Sequence, residues 1–414
     1  MFFARALTLS IGQGPCAFLK IANPAFMKKS IILLALFFSI NAAAQPVILK
    51  KVMQFLDTMC VNGLDHRYID APEKPWQIMV QGNVNQTDLK MESTINGAAM
   101  FSDVKGNVWW QSRVRTDVSS YVGLWAGYRG YGLGYSVNVG GDKGSIFKIG
   151  ATGGAYGVNL RIHKFKTDEP SVKYRYNDIV TNQPVEGGGT FDLLDAMDIK
   201  TVTLDAYYLF NRKKFSYCAA YDQSVFQKRS AGSFMVGAMY YNSTISYDQG
   251  LNADFILMMD DIGKIKQTQI SIGPGYAYNF VPCKGLLISA LAMPMVTLYN
   301  RLDAWHYNSN LRKAIVADLD NPVPEEEPDI TVFDYIIYPS EGADKITYPE
   351  AKDYKVSRHG KVSFTFDARL SLTYNFGDWF VNAYAQLYRF PFKYDSTTGN
   401  LHDWFVNACF GIRL

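Results

Sequence analysis

The sequence predicts an all-β fold, an antiparallel transmembrane β-barrel of about 12 strands (range roughly 10–16) with long outer loops. Three observations predict it. Residues 361–375 alternate apolar and polar side chains without a break. The chain closes on a second alternating segment that ends with the apolar Leu414. Composition agrees: 48% of residues are hydrophobic and only 19% charged, with 27 Tyr, 26 Phe and 33 Gly. A charge-poor, Tyr- and Gly-rich chain without helical runs favours extensive β structure. Past residue 45 no stretch of ~18 apolar residues offers a spanning helix. The net charge of +3 carries no basic block, so the sequence shows no nucleic-acid footprint.

At the N-terminus, Met27-Lys28-Lys29 precedes an apolar run over 31–40 and then Asn41-Ala42-Ala43-Ala44-Gln45. A basic region, a short apolar region and an A-x-A site in that order read as a secretory signal peptide. The sequence thus divides into a mis-assigned start over 1–26, a signal peptide over 27–44 and a lead-in over 45–75. A barrel follows over 76–414, with an acidic loop insert at 301–359. Cys60, Cys218, Cys283 and Cys409 are scattered without CxxC spacing, and buried free thiols are expected rather than a disulfide framework or a zinc site.

In the 361–375 segment Val362, Phe364, Phe366, Ala368, Leu370, Leu372 and Tyr374 share one face, while Asp367, Arg369, Ser371 and Thr373 share the other. Period two places alternate residues on opposite faces of a strand. At ~3.3 Å per residue this stretch is long enough to cross a hydrocarbon core at the usual tilt. In the last segment Trp404, Val406, Ala408, Phe410, Ile412 and Leu414 alternate with Phe405, Asn407, Cys409, Gly411 and Arg413. Further alternation lies at 201–210, 267–280 and 379–390. Over 131–139 the small residues Gly132, Gly134, Ser136 and Asn138 suit the inner face of a crowded, narrow lumen. Trp125, Tyr299, Trp379, Tyr388 and Trp404 stand near segment ends, where interface girdles belong.

Connections give the second cue. Tight turns are expected at 211–214, 282–284 and 377–378, and long connections at 166–198 and 301–359. Short turns at one end and long loops at the other are the barrel pattern. Three candidate strands between 211–214 and 282–284 would set these two turns at opposite ends, unless residues 254–259 add a further strand.

Leu209-Phe210-Asn211-Arg212-Lys213-Lys214-Phe215-Ser216-Tyr217, followed by Gln227-Lys228-Arg229-Ser230-Ala231-Gly232-Ser233-Phe234, resembles a family of exported proteins of Gram-negative bacteria known as domain of unknown function 4421. Asp65-His66-Arg67-Tyr68-Ile69 and Gly273-Pro274-Gly275-Tyr276-Ala277-Tyr278 are similar to the same family. The resemblance covers roughly residues 65–414. It implies a β-barrel-like outer-membrane protein and no particular activity.

Catalytic motifs are sparse. His66, His163, His306, His359 and His402 form no HExxH, and no GxSxG or phosphate loop occurs. Ser357 and His359 lie two apart and so share a strand face, which permits a nucleophile–base pair, as in lipid hydrolases built on barrels, without specifying one. No cofactor, metal or catalytic residue is predicted. The acidic insert, with Asp318, Asp320, Glu325, Glu326, Glu327, Asp329 and Asp334 broken by three prolines, reads as an irregular solvated loop.

Two residue sets remain. Arg161, His163, Asp205, Asp367, Arg369 and Arg413 fall on inner faces, either selecting a substrate or forming a paired ionic plug, since buried charges need partners. Gln227, Lys228, Arg229, Ser230 and Gly232 form a basic loop that either contacts an anionic headgroup or turns the chain. The reading is a non-enzymatic outer-membrane barrel, a narrow pore or a structural and binding barrel with a charged, plugged lumen. Its partners are outer-membrane lipids and the barrel-assembly machinery. A barrel-embedded enzyme acting on lipid or lipopolysaccharide is the alternative, and a secreted soluble β-sandwich the second.

Overall fold

A computed structural model describes residues 47–96, 107–141, 143–177, 181–190, 193, 196–246, 262–306, 354–394 and 397–414. The signal peptide expected at 27–44 and the candidate strand at 254–259 lie outside the described residues, as does 307–353 of the acidic insert. Helix α1, Val47–Val61, corrects the expectation of a chain without helical runs. Its apolar residues Ile48, Val52, Phe55, Leu56 and Met59 recur at helical spacing. The chain divides after Met59, and Cys60–Leu414 form a second unit.

That unit opens with β1 (Ile69–Asp70), β2 (Trp76–Asn96), β3 (Asn107–Arg115), β4 (Ser119–Tyr128), β5 (Tyr131–Gly140) and β6 (Ser145–Thr152). It continues with β7 (Tyr156–Thr167), β8 (Ser171–Asn177), β9 (Pro184–Thr190), β10 (Met197–Leu209), helix α2 (Tyr217–Tyr221) and β11 (Phe226–Gln227). The remainder is β12 (Ala231–Ser246), β13 (Ile262–Cys283), β14 (Leu286–His306), β15 (Tyr354–His359), β16 (Ser363–Phe376), β17 (Trp379–Tyr394) and β18 (Thr397–Arg413).

Twelve strands form a closed antiparallel ring in the order β2, β4, β5, β6, β7, β10, β12, β13, β14, β16, β17, β18. The ring closes where Ile412 of β18 pairs with Ile78 of β2. Closure pairs the edges that an open sheet would expose, so no row of backbone donors meets lipid. Four further strands extend the ring at one end: β3, β8 and β9 continue from the upper half of β2, and β15 pairs with the upper part of β14. The long connection at 166–198 therefore contains paired strands, and both ends of the 301–359 insert are strand rather than irregular loop.

The opposite end carries the tight turns. Lys284-Gly285 joins β13 to β14 and Gly377-Asp378 joins β16 to β17, with Gly285 at φ 87° and Gly377 at φ 63°, a conformation that costs other residues dearly. Trp76 and Leu414 exchange backbone hydrogen bonds at this same end, at 3.2 and 2.9 Å. The parity conflict resolves here. Among the described residues two ring strands, β12 and β13, lie between 211–214 and 282–284, and residues 211–230 fold inward before β12 begins.

The outer face is apolar. Leu370 is 57% exposed while Asp367 on the other face is fully buried. Trp379 and Tyr299 face outward, as does the Trp404 series, but Tyr388 is buried in the lumen and Trp125 turns inward. Neither of these two is a girdle residue. A Cβ on Gly132, Gly134 or Gly150 would meet the Trp125 ring at 2.7–2.9 Å, so the small inner face makes room for one large side chain.

Candidate functional site

The lumen is built from inward residues of strands that are distant in sequence. Alternation alone puts Asp205 of β10 and both Asp367 and Arg369 of β16 on the inner face. Curvature then brings them together. Arg369 donates from Nη2 to Asp205 Oδ2 at 3.0 Å and from Nε to Asp367 Oδ2 at 2.9 Å. Its Nη1 donates to the Tyr217 hydroxyl. Gln386 and Asn159 donate to Asp367 and Asp205 at 3.0 and 2.9 Å. One cation is thus shared by two buried carboxylates that each also accept an amide donor, which offsets the desolvation of all three charges.

A second pair lies beside it. Arg161 of β7 donates to Asp403 of β18, and its guanidinium stands 4.5 Å from the Phe405 ring centroid. His163, two residues on, shares a 2.9 Å hydrogen bond with the Tyr121 hydroxyl and packs on Phe165. Lys148 of β6 donates to Asn83 Oδ1 at 2.9 Å and stands 5.1 Å from the Phe405 centroid. Sequence reasoning passed over Lys148, Asp403 and Tyr217. The first two carried the same signal as the others, a charged residue at an inward position of an alternating strand.

Arg413 is fully buried. It donates from Nε and Nη2 to the Gln223 carbonyl oxygen at 3.0 and 2.8 Å and to Asn375 Oδ1 at 2.6 Å, between the rings of Phe226 and Phe380. Its partner Gln223 belongs to the inward-folded connection, residues 211–230. There Ser216 caps α2 by accepting from the Ala219 amide, a local N-cap preference. The Ala220 carbonyl then accepts from Ser371 Oγ at 2.6 Å and Asn382 Nδ2 at 3.0 Å, on two neighbouring barrel strands. Burial pushes the Asp222 carboxyl up to about 7, against the hydrogen bonds from Ser224 that pull it down.

The basic loop belongs to this connection. Gln227 is 8% exposed; its Oε1 accepts from the Ser216 amide and Asn279, and its Nε2 donates to the Lys214 and Arg229 carbonyls. Ile69 of β1 pairs with it across the short two-stranded sheet. Lys228 forms an ion pair with Asp70 at 3.5 Å, and Arg229 stands 6.0 Å from the Tyr68 centroid. Ser230 Oγ accepts from the Val281 amide at 2.9 Å, while a Cβ on Gly232 would collide with the Tyr276 hydroxyl. Each residue holds the loop in place. Between this connection and the charge pairs remains a cavity of about 100 Å³, lined by Lys148, Arg161, Asp205 and Arg369 among others.

Ser357 and His359 are not brought together. The Ser357 hydroxyl donates to Asp303 Oδ1 at 2.6 Å and accepts from Arg301, whereas the His359 ring packs against Tyr299. The four described cysteines are free, and three of them are buried.

A twelve-stranded antiparallel ring with an apolar exterior and a polar, charge-paired interior defines a transmembrane β-barrel. The chain belongs to the family described as domain of unknown function (DUF4421), whose model matches residues 64–413. No curated protein matches it. Among solved structures it is similar to the outer membrane protease OmpT from Escherichia coli, with 8% identity, 82% of this chain and 97% of that chain covered, and a TM-score of 0.37. It is also similar to the outer membrane protein OprG from Pseudomonas aeruginosa, with 9% identity, coverages of 82% and 98%, and a TM-score of 0.27. For the Pseudomonas putida toluene transporter TodX the figures are 9%, 86%, 94% and 0.25.

Proposed function

We propose that this protein is an outer-membrane β-barrel whose lumen is plugged at the turn end, and that it acts through structure and binding rather than through catalysis or open conduction. The observation that carries the reading is the seating of Ala220. Its carbonyl oxygen, on a helix inside the ring, is satisfied by side chains of two barrel strands, so the wall supplies the partners this connection needs. A buried carbonyl without such partners would cost about 1–3 kcal/mol. The ionic groups support the same reading, because Arg161 and Arg369 are committed to carboxylates.

In this reading the signal peptide at 27–44 exports the chain, the mature protein begins at Gln45, and the tight-turn end faces the periplasm. The barrel-assembly machinery inserts it, and outer-membrane lipids surround it. The test is planar-bilayer conductance of purified protein. The expected result is no steady open channel; sustained conductance by the wild-type protein would replace the plug with a pore. N-terminal sequencing of the membrane fraction tests export, and an intact Met1 on a cytosolic chain overturns it.

A further inference from the structure

The apolar outer stripe ends abruptly on one side of the barrel. On β7 the outward series Val158, Leu160, Ile162 passes into Lys164 and Lys166; on β10, Val202 passes into Lys200. On β13, Ile272 and Ile270 are followed toward the loop end by Thr268, Lys266 and Lys264. The register sets these lysines side by side. Lys164 lies directly opposite Lys200, which pairs with Thr244, which pairs with Lys266. One level up, Lys166 faces Asp198, Asp198 faces Ser246, and Ser246 faces Lys264.

Like charges directly opposite on paired strands are unfavourable. Asp198 offsets them through Lys166 at 3.4 Å, and Asp303 of β14 stands opposite Lys266 in the register while it pairs with Arg301 and Lys355. Among the described residues Lys164, Lys200 and Lys266 have no carboxylate at ion-pair distance. The cluster also has a recess to serve. The β5–β6 hairpin stops where Ser145 pairs with Lys164, while β7 and β10 continue to Thr167 and Met197. The step leaves a groove of about 740 Å³, floored by Tyr135 and Val137 and lined by Lys164, Lys166, Lys200 and Lys264.

We infer that this groove binds a phosphate-bearing lipid of the surrounding leaflet. Its acyl chains lie along Tyr135, Val137 and Ile162, and its headgroup phosphate takes the lysine ammonium groups, which carry donors and charge but no acceptor. Charge complementarity selects the occupant: a cationic row just beyond an apolar stripe fits an anionic headgroup attached to apolar chains. The basic loop at Lys228 and Arg229 lies at the opposite end, so the two cationic regions are separate. The inference rests on the membrane placement proposed above.

The probe is diphosphoryl lipid A, titrated into full-length protein in an uncharged detergent and followed by native mass spectrometry. Dephosphorylated lipid A and inorganic phosphate serve as the comparison arms. Wild-type protein is expected to retain the diphosphoryl lipid, and Lys164→Gln/Lys200→Gln to retain it roughly thirtyfold more weakly. Lys213→Gln/Lys284→Gln, at the turn end, should match wild type. Retention by the first double variant within about twofold of wild type, or equal retention of the dephosphorylated lipid, overturns the inference. Displacement by inorganic phosphate alone overturns it too, in favour of a free-anion site. Heat-dependent gel mobility of the same samples separates this failure from a failure of the membrane placement, which would leave mobility unchanged by boiling.

Discussion

Arg369 donates to Asp205 at 3.0 Å across the lumen, from a strand four places away in the ring and 164 residues away in the chain. Its other carboxylate, Asp367, sits on its own strand. The cation therefore tethers two parts of the wall that no backbone hydrogen bond joins.

Removing that cation leaves two buried carboxylates facing each other. Arg369→Met is expected to cost about 3–5 kcal/mol, read by urea unfolding of the barrel in lipid vesicles. Neutralising the acids as well, with Asp205→Asn and Asp367→Asn, should recover most of the loss. A harmless single substitution would mean that the group is solvated rather than paired.

The outer face is tested on the same strand. Leu370→Arg places a charge on a residue that is 57% exposed on the lipid side and should cost about 2–4 kcal/mol near mid-membrane. Ser371→Ala leaves that face intact and removes a donor to Ala220. It should loosen the inward connection without preventing vesicle insertion. If Leu370→Arg inserted as well as wild type, this strand would not cross a bilayer.

Cys218 reports on the plug. It is 2% exposed, within the connection that Arg413 holds through the Gln223 carbonyl. In a chain whose other cysteines are replaced, Arg413→Ala should raise the labelling rate of Cys218 by a thiol reagent about tenfold or more, since a hydrogen bond to a charged donor is lost. Unchanged labelling would show that the strand contacts of α2 suffice without Arg413.

Asp222 makes the barrel sensitive to pH. Its carboxyl lies in the inward connection rather than in a spanning strand, and burial raises it to about 7. An acid with a raised value binds more protons folded than unfolded, so stability falls as pH rises from about 4 to about 7 and then levels. Thermal unfolding in detergent should occur at lower temperature at about pH 8 than at about pH 5, and Asp222→Asn should shrink that difference. An equal difference in wild type and variant would assign the pH dependence to another group.

The residue pattern alone sets the strand faces. Phe364 through Tyr374 alternate with Thr365 through Thr373, and period two is a local property that needs no partner to be read. It also marked Asp205, Asp367, Arg369 and Arg413 as inward. It could not decide which acid met which base, because Asp205 reaches Arg369 only when twelve tilted strands close into a ring. Nor could it decide that 211–230 folds inward. Locally, Asn211–Lys214 is an ordinary turn and Gln227–Ser230 an ordinary basic loop; what makes them internal is a set of distant partners, Ser371, Asn382, Asn279 and Arg413. Trp125 shows the same limit in reverse. Near a segment end it looks like an interface anchor, and only the glycines of β5 and β6, brought against its ring by strand pairing, open the space that turns it inward.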